Sequence, residues 1–302
     1  MKVLVTGATG LIGSSLIHAL EDRGDTVIRV TRSTSAPGPS VRWDPQRGLL
    51  DPTDVAGADA LVHLAGEGIG DKRWTETHKA RVLDSRVRGT TLLAETLAGL
   101  DRSPSVMVSA SAVGFYGDRG DEILTEQSDR GDDFLSDVCS QWEDSTLPAT
   151  EAGIRVARVR TGLVLTRNGG ILPRVMLPFR IGVGGRLGSG RQWWPWITLR
   201  DEVRAILHLL DHEDLSGAFN LGAPNPVTNA EFARTLADVL HRPGFFTVPS
   251  PALKLVLGRE MADEVVLISQ RVVPRKLLDA GFEFEDPELE PALRRMLRKA
   301  VA

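Results

Sequence analysis

Along the first half of the chain, short apolar runs alternate with longer stretches of helical period, separated by glycine or polar turns. Residues 3–6 (Val-Leu-Val-Thr) read as a strand buried on both faces, residues 11–23 as a helix, and Gly24-Asp25 as a turn before a second strand over 26–31. A proline- and serine-rich loop over 33–40 leads to a short apolar piece at 41–43, and residues 60–64 form another buried strand. Helical period returns over 75–100, with Val82, Leu83, Val87, Leu92, Leu93 and Leu97 on one side. Residues 106–109 read as strand, 132–152 as helix, and 154–159 as strand after the Gly153 stop signal. Strands separated by helices of this length require right-handed crossovers, hence a parallel sheet with helices on both faces. The predicted fold class is therefore α/β, a doubly wound parallel sheet with a smaller C-terminal region.

The second half loses this rhythm. Residues 169–190 are loop-like, with glycines at 169, 170, 182, 184, 185, 188 and 190, and lead into Trp193-Trp194-Pro195-Trp196. Helices are predicted at 201–210, 229–240 and 287–300, the last opening on a proline suited to a first helical turn, and a short strand near 219–221. A terminal subdomain begins at about 245, where Pro249 and Pro251 interrupt the chain. Residues 1–165 are expected to form the dinucleotide-binding domain, its sheet completed by parts of 196–242, and residues 166–302 the substrate side.

Chemistry enters with the glycines at 7, 10 and 13, which follow the first strand and open the first helix. Gly7 permits the tight turn, Gly10 lets backbone approach a pyrophosphate, and Gly13 lets the helix pack hard on the sheet. Thr9, Leu11 and Ile12 complete a turn whose free amides face the phosphates. In an NAD site the second strand usually ends in an acid that binds the ribose 2′-hydroxyl. Here it ends Val30-Thr31-Arg32-Ser33, and no acid occurs between Thr26 and Trp43. A guanidinium followed by hydroxyls suits a 2′-phosphate, which points to NADP as cofactor. The alternative for Arg32 is a solvated arginine at a strand end. The strand Leu61-Val62-His63-Leu64-Ala65-Gly66 ends in small residues, as it must where backbone lies against a flat ligand; its His63 reads as a packed side chain.

The composition narrows the function classes. Of 302 residues, 42% are hydrophobic and 25% charged, with a net charge of −4. Arginines are scattered and offset by acids, so no nucleic-acid partner is expected. One cysteine, Cys139, excludes internal disulfides and fits a reducing compartment. No apolar run approaches the roughly 18 residues that span a bilayer, and no signal-peptide pattern is present, which predicts a cytoplasmic location with no membrane partner. No metal site is expected.

Thr6–Gly13, the end of the strand at His63–Gly66, and Val108-Ser109-Ala110-Ser111-Ala112-Val113-Gly114-Phe115-Tyr116-Gly117 resemble the extended short-chain dehydrogenase/reductases, in particular the NAD-dependent epimerase/dehydratase family. The likeness continues through Arg158–Leu165, Trp196–Asp201 and Phe219–Gly222, and the segment from Val248 is similar to an atypical subgroup with its own C-terminal extension. The resemblance implies a Rossmann fold, Leu64, Ala65 and Gly66 beside the adenosine, Arg86 on a helix passing the cofactor, and Ser109 and Ser111 near the reacting carbon. A small-molecule substrate, a nucleotide sugar or small carbonyl compound, and a monomer or homodimer follow from the same likeness.

The family's usual engine is a Ser, a Tyr and a Lys four residues after that Tyr. Tyr116 is the one tyrosine of this chain, and Gly120 stands four residues after it. Taking Glu143 as the acid that commonly follows the Lys by four residues puts Leu135 at the Tyr place and Cys139 at the Lys place. No lysine and no tyrosine lies between Gly117 and Leu253, so a shift of alignment supplies neither. Two readings follow. One is an NADP(H)-dependent oxidoreductase or epimerase with a substituted acid/base, for which Tyr116 is the first candidate and Glu67 the second; the other is a catalytically inactive NADP(H)-binding sensor or interaction module. Cys139, alone on an apolar helix face, reads as packing, and the three tryptophans either stack on a flat substrate or pack the glycine-rich segment on the core.

Overall fold

The computed structural model describes residues 1–33, 38–70 and 72–298. Part of the 33–40 loop and the end of the helix expected to reach 300 lie outside the described residues. The main sheet has eight strands: β1 (Lys2–Thr6), β2 (Thr26–Thr31), β3 (Ser40–Asp44), β4 (Leu49–Leu50), β5 (Ala60–His63), β6 (Val106–Ala112), β7 (Arg155–Thr161) and β8 (Gly217–Leu221). Their spatial order is β8-β7-β6-β5-β1-β2-β3-β4. Pairing is parallel from β6 through β5, β1 and β2 to β3, and the short β4 runs antiparallel to β3. This is the doubly wound sheet expected from the alternation of elements. The winding direction reverses between β1 and β5, and ligands of such sheets bind beyond the carboxyl ends of strands at that reversal.

Local sequence explains the helices around it. Helix α1 (Leu11–Asp22) buries Leu16, Ile17 and Leu20. After the short α2 (Pro52–Val55), α3 (Glu76–Ala98) starts on a Thr75 cap whose hydroxyl accepts from the His78 amide. Its buried stripe is His78, Val82, Arg86, Gly89, Thr90, Leu93, Ala94 and Leu97. The stripe thus carries two basic side chains, while Leu83, Val87 and Leu92 are only half-buried. Leu93, Ala94 and Leu97 pack with Leu4, Leu61 and Met107 of the sheet in one apolar cluster. Leu4 faces this cluster, and Val3 and Val5 therefore face the opposite side, as the pleat demands.

The single helix expected over 132–152 is two: α4 (Phe134–Asp144) and α5 (Leu147–Glu151). Pro148 falls in the first turn of the second helix, where its missing N–H is harmless; within a continuous helix its ring would strike the carbonyl four residues back. The glycine-rich 169–190 segment also differs from the expected loop, for it holds a helix over Leu172–Arg180 with Leu172, Met176 and Phe179 buried. Added Cβ atoms at Gly184 and Gly185 would lie 2.2 Å from the Phe179 ring and 1.8 Å from the Phe246 carbonyl oxygen. These glycines serve close packing. Trp194 and Trp196 are core residues of the same cluster as Phe179, whereas half-buried Trp193 donates to Asp121 and lies under the Arg271 guanidinium.

The chain forms two compact units. One comprises Met1–Ala112, Asp137–Arg160 and Val203–Phe219; the other comprises Val113–Ser136, Thr161–Glu202 and Asn220–Ala302. Among the described residues no helix is long and apolar enough to cross a membrane, and no cluster of side chains suits a metal ion.

Candidate cofactor site

The first glycine turn is built by contacts that allow no side chain. Gly7 has φ +66°, and a Cβ there would lie 2.8 Å from the Leu64 carbonyl carbon. The Gly10 amide donates to the Gly7 carbonyl at 2.9 Å, and a Cβ on Gly13 would lie 2.2 Å from that same oxygen. Helix α1 thus begins against the turn itself. Gly10 caps it without a side-chain acceptor, so the amides of the first turn stay available to an anion.

Beyond this turn lies a cavity of about 500 Å³. Gly7, Thr9 and Gly10 line it from the turn, Thr31 and Arg32 from the end of β2, and Leu64, Ala65 and Gly66 from the end of β5. Leu11, Ile12, Gly13 and Arg86 are not part of its wall, nor are Ser109, Ser111 and Tyr116. The wall also contains Trp43, Pro45 and Gln46 after β3, and Ser85 and Arg88 of α3, which sequence reasoning did not single out. Their signal was thin: parallel pairing of β2 with β3 brings Trp43 beside the cofactor strand, and that pairing is not visible in local sequence. A second cavity, of about 540 Å³, opens among Arg23, Asp25, Arg155 and Asp211 at the amino ends of the strands. Arg23 there pairs with both aspartates, and the location is the wrong end of the sheet for a nucleotide.

A buried polar chain holds the end of β5 in place. The Thr6 hydroxyl accepts from the Leu64 and Ala65 amides at 3.0 and 3.1 Å and lies 2.7 Å from His63 Nδ1. On the other side of the ring, His63 Nε2 lies 3.0 Å from the Thr90 hydroxyl, which donates to the Arg86 carbonyl. Burial pulls the His63 pKa down to about 3, with the nearby Arg86 charge adding to the effect. His63 is therefore a neutral bracket.

Of the groups expected to carry acid/base chemistry, Ser111 and Tyr116 are engaged in short hydrogen bonds. Ser111 Oγ donates to Glu143 at 2.7 Å, and Glu143 accepts two bonds from Arg160 at 2.8 and 2.9 Å. Ser109 is buried, its hydroxyl 3.5 Å from the Ala110 carbonyl. Tyr116 is fully buried in a 3₁₀ turn over Val113–Tyr116 and donates to Asn220 Oδ1 at 2.6 Å, while the Asn220 amide nitrogen donates to the Val273 carbonyl. Leu135 and Cys139 are buried on α4, and burial, with Glu143 nearby, pushes the Cys139 thiol up to about 12. It is no nucleophile at neutral pH. Glu67 lines the cavity; its backbone amide donates to the Ser85 hydroxyl and its carbonyl accepts from Arg86.

A glycine turn closing on the helix it precedes, at the switch point of a doubly wound sheet, defines a dinucleotide-binding α/β protein. The sequence profile of the NAD dependent epimerase/dehydratase family matches residues 3–137, and that of a domain of unknown function (DUF1731) matches residues 248–296. An epimerase family protein of Mycobacterium bovis is 41% identical over 291 residues, covering 96% of each chain. The crystal structure of the human epimerase family protein SDR39U1 with NADPH superimposes with a TM-score of 0.89 at 38% identity, covering 98% of this chain and 99% of the human one. A nucleoside-diphosphate sugar epimerase from Corynebacterium glutamicum gives a TM-score of 0.82 at 38% identity, covering 98% of this chain and 58% of the other. The chain belongs to the NAD-dependent epimerase/dehydratase family of extended short-chain dehydrogenase/reductases, in the subgroup that carries the DUF1731 extension.

Proposed function

We propose that this protein binds NADP(H) in the cavity beyond β1, β2 and β5 and acts as an oxidoreductase or epimerase-like enzyme without the usual Tyr/Lys pair. The observation that carries the reading is Arg32, which lines the cavity at the end of β2 in a stretch that holds no acid from Thr26 to Trp43. A 2′-phosphate would gain charge-assisted bonds there, where an NAD site would hold a carboxylate. The human relative crystallised with NADPH supports the same choice. The amides after Gly10 would hold the pyrophosphate, and the bound cofactor would supply or accept hydride.

Residues 1–165 carry the cofactor in this reading, and residues 166–302, with the terminal subdomain from about 245, form the substrate side. The substrate class is a nucleotide sugar or a small carbonyl compound, the former supported by the corynebacterial relative's description as a nucleoside-diphosphate sugar epimerase. Ser109 and Ser111 would supply hydroxyls at the reacting carbon. Ser111 gives its proton to Glu143, so toward a substrate it acts as an acceptor. Tyr116 gives its own to Asn220, which makes it a support of the turn after β6 more readily than an acid. A second reading, cofactor binding without turnover as a sensor or interaction module, is favoured by the protonated Cys139 at the place of the lysine.

Titration calorimetry with NADPH and NADH on the full chain tests the proposal. Tighter binding of NADPH supports it, and heat with neither nucleotide refutes both readings.

A further inference from the structure

Leu177, Ile181, Val183, Phe245 and Phe246, all of the second compact unit, are between 42% and 78% exposed. Leu177 and Ile181 are four residues apart at the end of the helix over Leu172–Arg180, turned away from its buried Leu172, Met176 and Phe179. The Val183 amide donates to the Pro178 carbonyl at 2.9 Å, which folds the chain back on that helix. The strand Gly185–Leu187 then pairs in parallel with Phe246–Val248, which sets Phe246 beside Gly185. Phe179 fills the space next to Gly184 and Gly244, where added Cβ atoms would lie 2.2 and 3.6 Å from its ring. Phe245 therefore stays outside and stacks on Phe246 at 4.7 Å. After Pro249 comes the helix over Ser250–Leu257, in which no residue is buried, and its Leu255 and Val256 are 79% and 75% exposed. Large apolar groups gathered in this way mark a surface that a partner covers.

Charge says what kind of partner. No acid occurs from Ala152 to Arg200 or from Val239 to Arg259, in a chain whose net charge is −4. Within those two segments Arg174, Arg180, Arg186, Arg242 and Arg259 are exposed, while Lys254 is held by Asp263 at 2.8 Å. Two copies meeting here about a two-fold axis would set arginines against arginines. Phe, Leu, Ile and Val among arginines form the pattern of segments that lie in the headgroup boundary of an anionic bilayer. There the apolar side chains enter the boundary and the guanidinium groups meet lipid phosphates. We propose that this face of the protein docks on an anionic phospholipid surface. The expectation of no membrane partner rests on the lack of an apolar run long enough to span a bilayer; lying on the surface needs no such run. The cofactor cavity is lined by residues of the other compact unit, so the two proposals stand or fall separately.

Co-sedimentation of the full chain with vesicles tests the proposal. Phosphatidylcholine vesicles with roughly one-third phosphatidylglycerol should bind the protein about tenfold or more tightly than phosphatidylcholine alone, and raising salt from about 0.05 M to about 0.5 M should release it. The double variant Phe245→Ser, Leu255→Ser should bind the anionic vesicles about tenfold more weakly, and Arg180→Glu, Arg242→Glu should do the same. Leu49→Ser, at an exposed position of the other compact unit, should bind as wild type does. Melting curves establish that each variant is folded; where a double variant is not, the single substitutions Phe245→Ser and Arg180→Glu carry the same test. Wild-type protein that stays in solution beside anionic vesicles, or folded variants that bind as tightly as wild type, would overturn the proposal. Sedimentation velocity that finds a dimer dispersed by Phe245→Ser, with no vesicle binding, rejects it too and assigns the face to a second copy.

Discussion

The hydroxyl of Thr6 lies 2.7 Å from Nδ1 of His63, and the bonds around this pair fix the histidine's proton. Thr6 Oγ1 already accepts from the Leu64 and Ala65 amides, so its own proton goes to Nδ1. Thr90 gives its proton to the Arg86 carbonyl and must accept from Nε2. The ring is neutral and protonated on Nε2. Protonating Nδ1 would break the bracket beneath the two residues that line the cavity.

This sets a pH dependence. His63 has its ordinary pKa near 6.5 in the unfolded chain and about 3 in the fold. A depressed folded pKa gives stability that is complete above 6.5 and lost as pH falls toward 3, at up to about 1.4 kcal/mol per pH unit. His63→Phe removes that dependence while leaving Thr6 and Thr90 short of a partner. Urea unfolding should show the variant well below wild type at pH 7 and the gap narrowing at pH 5. A gap independent of pH would mean that His63 titrates normally.

Glu202 has the opposite sign. It is fully buried, with Oε1 accepting from Thr161 at 2.7 Å and Oε2 without a partner, and burial raises its pKa to about 8. A carboxyl whose folded pKa lies above its unfolded 4.5 stabilises below pH 4.5 and loses that contribution as pH rises through 8. Glu202→Gln keeps the Thr161 bond and cannot ionise. Chemical denaturation should find it close to wild type at pH 5 and more stable at pH 8; equal stability at both would place the ionised form comfortably in the core.

Gly13→Ala tests the turn. The new methyl carbon would lie 2.2 Å from the Gly7 oxygen, so α1 must move off the sheet. Overpacking of this kind typically costs about 1–3 kcal/mol. We expect a lower melting temperature and a loss of NADPH binding, because the shifted helix carries the phosphate-facing amides with it. Retained affinity in the destabilised variant would separate the amides from the cofactor.

The turn was legible because its reasons are local. Three glycines between a strand and a helix serve backbone approach, and the contacts at Gly7 and Gly13 are of that kind. The helix over Asn229–Leu240 was legible too, since Thr228 and Glu231 form a capping box at its start. What was missed depends on distant pairing. Trp43 and Gln46 reach the cavity only because β3 joins β2, and Glu143 meets Arg160 across 17 residues. In 169–190 the glycines suggested a loop, but the apolar spacing Leu172, Met176, Phe179 makes a helix and the glycines fit around Phe179. Arg86 and His78 in the buried stripe of α3 escaped the periodicity argument because that argument weighs apolar residues.

Cofactor choice is tested at Arg32. Arg32→Asp replaces a cation at the cavity with the acid that an NAD site carries at this strand end. NADPH affinity should fall about ten- to hundredfold and NADH should bind at least as well as before, since a lost charge-assisted bond and a new repulsion act on the 2′-phosphate alone. An unchanged ratio of the two affinities, read by calorimetry, would return Arg32 to the role of a solvated strand-end side chain.

Tyr116→Phe separates the two roles open to the one tyrosine. Its hydroxyl is fully buried and donates to Asn220, whose amide in turn donates to Val273 and whose own backbone amide donates to Glu126. Removing it leaves Asn220 Oδ1 without that donor in a dry place, at a cost of about 1–3 kcal/mol. NADPH affinity should stay within about twofold of wild type, since Tyr116 is not in the cavity wall. With a carbonyl or nucleotide-sugar substrate in hand, a supporting role predicts turnover that survives at temperatures where the variant is folded. An acid role predicts loss of turnover with stability and cofactor binding intact. The hydrogen bond to Asn220 favours the first outcome, because a phenol that already gives its proton to an amide oxygen must break that bond before it can serve a substrate.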